Sequence, residues 1–295
     1  GVAAAVGVNW QRSSNQATII SGVNVTTNGG AVTIVATNDA NAKARAIGTS
    51  MSDSAKANIG AAVAINVATI DNIASVGTGT TINAIDAGGN KGDIKVEAVT
   101  ADGKVNEFVV WGLAAAGSTG TESQIAIAGS VGVNVLNLKN QALVADNAQL
   151  NTLGSMSVKA NTPIVLQNLA IAGAFSRSTS GGAVGAGIAV NILNQNTEAK
   201  IGNNVTLNAS ESITVKADSS LNPRVATIED MTEIIDVVTG KIAALTKDIP
   251  GVDQIFAQLD KVIQPIEDKL RDLINQGKNS GIPFSVELFT RIEQE

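Results

Sequence analysis

The sequence predicts a mainly β chain: a parallel β-helix or β-solenoid over residues 1–222, followed by a C-terminal α-helical hairpin and tail over 223–295. Three observations carry this. A long unit recurs four times in register, its strongest element alternates with the two-residue period of a strand, and no amphipathic helical segment occurs before about residue 226.

The repeat comes first, because its period decides the architecture. Ala5 to Trp10, Ala62 to Val67, Ser130 to Val135 and Gly187 to Ile192 align on Asn9, Asn66, Asn134 and Asn191, spaced by 57, 68 and 57 residues. Eight residues on stand Ala17, Ala74, Ala142 and Ala199, and two further on Ile19, Val76, Val144 and Ile201. Next comes an apolar-x-apolar-x-Ala element, in Val32/Ile34/Ala36, Ile94/Val96/Ala98, Met156/Val158/Ala160 and Ile213/Val215/Ala217.

Within the first element large residues alternate with small ones. Val63, Ile65 and Val67 fall on one side of the strand, with Ala64 and Asn66 on the other. One face is bulky and apolar, the other small and flat. A shared aliphatic interior is expected from the Val/Ile ladders. The Gly/Ala/Asn face has two readings, contact with solvent or close approach to a second solenoid or to the hairpin, giving lateral or end-to-end assembly.

Turn-forming stretches separate the strands: Asn28-Gly29-Gly30, Ala87-Gly88-Gly89-Asn90 and Gly202-Asn203-Asn204. Without helical crossovers a doubly wound α/β fold is disfavoured, and a coil whose strands stack on their equivalents in the next rung fits the repetition better than antiparallel meanders. Rungs on the order of 20 to 25 residues, with strands about 4.8 Å apart, would make a rod roughly 40 to 50 Å long. The longer middle spacing implies surface loops, visibly at Asp86 to Asp93.

At these residues the chain resembles the repeat region of large bacterial exoproteins of the filamentous haemagglutinin-like and fusobacterial leukotoxin-like adhesin type. The strand Gly185 to Ile192, the run Thr197 to Gly202 and the element Val205 to Ala217 carry the resemblance, which spans about residues 1 to 220. It implies a right-handed parallel β-helix, export by a type V or two-partner route, display outside the cell or on its surface, and a role in adhesion, cell contact or toxin display. Partners would then be other copies of the chain, other surface proteins, or a host or neighbouring-cell surface. No functional residue transfers by this resemblance. A piece of a pore-forming or cytotoxic exoprotein is the alternative.

Charge and periodicity change together near residue 222. Residues 1 to 225 hold 13 Lys+Arg and 13 Asp+Glu, while 226 to 295 hold 7 and 13, so the net −6 sits on the tail. Thr227 with Asp230 fits a capping box, and Ile228, Met231, Ile235, Val238, Ile242 and Leu245 follow helical spacing. Val252, Phe256, Leu259, Ile263, Ile266, Leu270 and Leu273 repeat it after a break at Asp248 to Gly251, with Pro265 kinking the second helix. Pro283 to Glu295 reads as strand or helix. The hairpin suits a cap over the last rung, an inserted module, or a docking element.

Composition narrows the function classes. Cys, His and Tyr are absent. That removes Ser/His/Asp triads, thiol nucleophiles, common zinc sites and disulfides, and fits a chain that meets an oxidising compartment. No basic region with an apolar stretch opens the chain and the first residue is Gly1, which reads as an internal fragment with any targeting signal lying outside it. No apolar run reaches the 18 or so residues of a membrane-spanning helix. The expectation is no enzyme, no catalytic, cofactor-binding or metal site, no cofactor and no nucleic-acid partner, since a neutral rod and acidic tail lack a basic footprint.

Candidate motifs are weak. Gly185-Ala186-Gly187 lacks the third glycine and the following helix of a dinucleotide fingerprint, and reads as small residues on a packed strand. Gly88 to Asp93 has the wrong glycine spacing for a calcium turn and carries Lys91, so it reads as a surface turn. Asp39, Asp53, Glu122 and Asp146 are scattered, against paired-carboxylate catalysis, and Glu229, Asp230, Glu233 and Asp236 suit the start of a solvated helix. Thr26-Thr27 does not recur as an ice-binding array would.

Overall fold

The computed structural model describes residues 1–224 apart from 53, 87, 119–123 and 179. Of the helical hairpin and tail expected over 223–295, everything from 225 on, with its acidic cluster, lies outside the described residues, as do Asp53 and Glu122.

The described chain is mainly β, with parallel sheets, and runs in four circuits. The first comprises β1 (Val2–Ile19), β2 (Asn24–Thr26), β3 (Val32–Asn38) and β4 (Asn41–Ser52); the second β5 (Ala57–Val76), β6 (Thr81–Ala84), β7 (Ile94–Thr100) and β8 (Asn106–Ser118). In the third, β9 (Ile125–Val144) and β10 (Gln149–Thr152) lead into β11 (Met156–Ser176), and in the fourth β12 (Gly182–Ile201), β13 (Thr206–Ala209) and β14 (Ile213–Pro223) follow the same path. Each circuit adds one long strand to sheet A (β1-β5-β9-β12), a short one to sheet B (β2-β6-β10-β13) and a returning stretch to sheet C, where β11 spans both β7 and β8 and pairs β14 on its other side. This order is compatible with a β-helix.

The circuit is the whole repeat. Asn9 pairs Asn66, Asn66 pairs Asn134 and Asn134 pairs Asn191 directly. The expected 20- to 25-residue rung is therefore wrong: one turn consumes 57 or 68 residues, as the Asn-to-Asn separations show. Four circuits stack to a height of roughly 15 to 20 Å, not 40 to 50 Å, while strands of 18 to 21 residues extend on the order of 60 to 70 Å across the stack. The misreading has a physical cause. Alternation continues unbroken through polar residues such as Arg12 to Asn15, so what reads as a strand followed by a connection is one strand.

The longer second circuit takes its extra residues at three places. The offset between paired residues is 57 at Asn24/Thr81, 62 at Val32/Ile94, 66 at Asn41/Glu107 and 68 at Ala57/Ile125. Five residues therefore enter at the Asp86 to Asp93 loop foreseen from sequence, four between Thr100 and Asn106, and two before Ile125.

A left-handed backbone recurs where sheet A turns into sheet B. Gly22 (φ 72), Gly79 (φ 65), Asn147 (φ 60) and Asn204 (φ 54) occupy equivalent positions in the four circuits. Glycine has no Cβ to clash there, and asparagine tolerates the region better than most residues. Turns stack through backbone bonds, from the Gly22 amide to Thr78 O (2.9 Å), Gly79 to Asp146 O (3.0 Å) and Asn147 to Asn203 O (2.9 Å). Replacing Asn147 with Val should lower stability by about 1–2 kcal/mol, whereas Asn147→Gly should be neutral or better, as read from urea midpoints.

The interior is a wedge. Beside sheet B it holds Val32, Ile34, Val76, Ile82, Val96, Leu150 and Val158, and midway Ile70, Phe108, Leu136, Leu138 and Ile164. At the far end it narrows to alanines, among them Ala44, Ala46, Ala62, Ala64, Ala114, Ala126 and Ala128. There the two long sheets approach so closely that a Cβ placed on Gly112 would stand 2.8 Å from Val131 O, and one on Gly185 2.6 Å from Ala172 O. Gly7, Gly48, Gly60 and Gly187 leave even less room against the backbone of the facing sheet.

The expectation for the two faces of the first element is thereby inverted. In β5 the buried positions are Ala62, Ala64 and Asn66, while Val63, Ile65 and Val67 point outward and are half-buried. Side-chain volume decides this: facing sheets held at alanine distance cannot admit valine. Hydrophobicity alone would place the larger residues inside.

On the side of sheet C turned away from sheet A lies a cluster around the buried Trp111. The Trp111 ring carries Lys43 Nζ at 4.5 Å and Arg45 Cζ at 4.8 Å from its centroid, and its Nε1 donates to Gln167 Oε1 (3.0 Å). These are cation–π contacts between neighbouring strands. At the other end of the sheet β14 runs to Pro223, and the Arg224 amide still donates to Leu166 O (2.8 Å).

Candidate interaction surface

Two constructions repeat from circuit to circuit, one inside the stack and one outside. Inside, asparagines form ladders. Asn9 Nδ2 donates to Asn66 Oδ1 (2.8 Å), Asn66 Nδ2 to Asn134 Oδ1 (3.2 Å) and Asn134 Nδ2 to Asn191 Oδ1 (3.0 Å). Asn66 also donates to Ala42 O (3.4 Å), so the ladder ties sheet A to sheet C. A second ladder joins Asn72 to Asn140 (2.7 Å), both buried, with Asn72 donating to Ala36 O and Asn140 to Ala98 O (3.0 and 2.9 Å). A third, on the outward side of sheet B, runs from the exposed Asn208 to Asn151 to Asn83 (2.8 Å each). The repeated Asn thus has a structural occupation. In the first ladder the central amides of Asn66 and Asn134 each accept from one neighbour and donate to the next, which satisfies a buried polar group without a charge.

Outside, sheet A divides into two halves. Columns of paired residues run across the four strands, perpendicular to them. Val6, Val63, Val131 and Ile188 form one column, Val8, Ile65, Val133 and Val190 the next, and Trp10, Val67, Val135 and Ile192 another. Toward the strand starts stand a small column of Ala4, Ala61, Gly129 and Ala186 and then Val2, Ile59, Ile127 and Val184. All are apolar. The next columns are polar, beginning with Arg12, Thr69, Asn137 and Asn194, then Ser14, Asp71, Lys139 and Asn196. The apolar half is open: Val6 is 70% exposed, Trp10 77%, Ile127 44% and Ile188 57%. Soluble proteins seldom leave a contiguous apolar area of this size uncovered unless it binds something.

Of the residues singled out from sequence, Ala186 belongs to the small column of this face, and the others lie elsewhere and do not converge. Gly185 and Gly187 face inward on β12, where the backbone of sheet C approaches them, the packing reason expected of small strand residues. Asp39 Oδ1 accepts from Asn41 Nδ2 (3.1 Å), and Asp146 Oδ1 accepts the Asn203 amide (2.7 Å). Thr27 Oγ1 donates to Gly30 O (2.6 Å) and closes a turn. No three acidic side chains gather as metal ligands among the described residues. Nor is any helix among them long and apolar enough to cross a membrane.

The Asp86 to Asp93 loop is anchored two circuits away. Lys91 Nζ meets Glu211 Oε1 at 2.9 Å, Ser155 Oγ donates to Glu211 Oε2 (3.2 Å), and Asn90 Nδ2 donates to Asp86 Oδ2. The hydrogen bond from Lys91 holds the Glu211 carboxyl below its ordinary range, and the bond from Asn90 does the same for Asp86. A lowered folded-state value means that the tether is present above the ordinary carboxylate range and is lost as pH falls through the lowered one. Amide exchange in this loop, referred to its intrinsic rate, should rise on acidification below about pH 4, and Glu211→Gln should remove the Glu211 share of that rise and leave the Asp86 share.

Sequence reading missed the apolar face as a surface because the same alternation was assigned to the core. A signal was present in the middle of the repeat, where the inward set of small residues carries every aligned asparagine. No protein-family model matches the chain, and neither a curated protein nor a solved structure does.

Proposed function

We propose that the chain is a segment of a right-handed parallel β-solenoid, a structural or adhesive scaffold within a large secreted or surface-displayed bacterial exoprotein, and not an enzyme. The carrying observation is that identical residues stack on identical residues through four circuits, with the buried amides spent on one another. Such a repeat specifies a shape and a surface. The resemblance of the Gly185 to Ala217 stretch to haemagglutinin-like and leukotoxin-like adhesins supports the extracellular placement and the type V export route. The absence of cysteine from the whole chain agrees with it.

Adhesion is tested with the purified chain on cultured epithelial cells and on dye-loaded vesicles. Saturable cell binding without dye release is the expected outcome. Dye release would replace this reading with that of a pore-forming exoprotein, and absence of both would remove the adhesive role and leave the scaffold alone.

A further inference from the structure

We propose that the apolar half of the outer face of sheet A docks against the same face of a second copy of this chain, the two related by a two-fold axis through the centre of the array. The inference rests on the described circuits alone and stands whether or not the scaffold is adhesive.

The occupant follows from the shape, chemistry and size of the face. In-register columns make it flat, without the groove that a single amphipathic helix requires, and a flat sheet packs best on another sheet. Every outward side chain in its five columns is apolar, so a matching copy brings no unpaired polar group or charge into the contact. The Ala4/Ala61/Gly129/Ala186 column is a shallow furrow between two ridges of Val and Ile, so that a two-fold partner can set a ridge into each furrow. Four strands about 4.8 Å apart and nine residues at about 3.3 Å give a footprint of roughly 570 Å². Two such faces bury roughly 1,100 Å², above the about 1,000 Å² at which specific interfaces begin. The polar columns beyond Trp10 mark where the contact stops.

The test is sedimentation equilibrium on the full 295-residue chain. A dimer at micromolar concentration is expected, and Val63→Lys with Val131→Lys, at the centre of the array, should weaken it at least about 100-fold, since four like charges would be brought together. Asn137→Lys with Asn194→Lys, on the polar half of the same face, should leave it unchanged. Circular dichroism establishes that each variant is folded. Should the central pair fail to fold, Val131→Cys supplies an independent reading. The chain has no other cysteine, so a short bismaleimide should join two copies through this position and not through Asn203→Cys. The proposal is overturned by a monomer at about 100 µM, by a dimer indifferent to the central lysines, or by a monomer that instead binds phosphatidylcholine vesicles through this face.

Discussion

Gly48→Ala should unfold or nearly unfold the stack, while Gly129→Ala should leave it intact. Both glycines sit in long strands and differ only in direction. A Cβ on Gly48 points into the narrow end of the wedge and collides with the Ala61 backbone of the facing strand, whereas one on Gly129 meets nothing within 4 Å. The Gly48 collision involves backbone on both sides, so no rotamer change relieves it and the two sheets must part. Around that point lie Ala44, Ala46, Ala62 and Ala64, whose contacts would be lost with the spacing. A loss of at least about 3 kcal/mol is expected at Gly48, beyond the usual cost of overpacking because a whole sheet has to move. Gly129→Ala should be neutral or stabilising by a few tenths of a kcal/mol, since the unfolded chain loses freedom and the folded one gains no clash. Guanidinium midpoints for the pair decide it, and equal midpoints would remove the close sheet approach from the account of this fold.

The strand class and the fourfold alignment on Asn9, Asn66, Asn134 and Asn191 were legible in sequence, because both reduce to periodicity that a single chain displays, whereas the direct stacking of these residues was not, since it follows from the size of the circuit. Circuit size was not. Of the four equivalent turns only the one at Gly202-Asn203-Asn204 was read from sequence, whereas those at Gly22 and Asn147 sit among short polar stretches that resemble Ser13 and Ser14, which stay in the ladder. The inward face was not legible either. Val63 and Ala62 alternate with equal regularity, and only the spacing to β4 and β8, a tertiary quantity, turns the alanine inward. The aligned Asn was the available clue, since an uncharged amide with two donors and an acceptor is suited to a buried ladder and gains little on a wet surface. The Trp111 cluster with Lys43 and Arg45 left no trace in the repeat, because its members come from different strands and recur in no other circuit.

Asn134→Asp should convert the central ladder into a pH-dependent element. Asn134 is fully buried. It accepts from Asn66 Nδ2 and donates to Asn191 Oδ1, so its side chain must be an acceptor on one side and a donor on the other. A protonated carboxyl fills both roles with almost the same shape. An ionised one accepts only, and faces the Asn191 oxygen across 3.0 Å with no hydrogen between them. Burial and this lost donor both favour the protonated form, so the introduced carboxyl titrates higher in the folded chain than in the unfolded one. The sign follows: the variant keeps near-parental stability below about pH 4, the unfolded value, and loses it as pH rises through the higher folded value. At pH 7 a deficit of about 3–5 kcal/mol relative to the parent is expected, the cost of a buried charge without a compensating partner. Asn134→Ala should lose about 1–2 kcal/mol at every pH, since it removes two ladder bonds without titrating while Asn66 keeps its bond to Ala42 O and Asn191 its bond from Asn168. Chemical denaturation of the three proteins from pH 3.5 to 8 separates the cases. A pH-independent deficit in Asn134→Asp would mean that the ladder holds shape through volume and not through its alternating donors and acceptors.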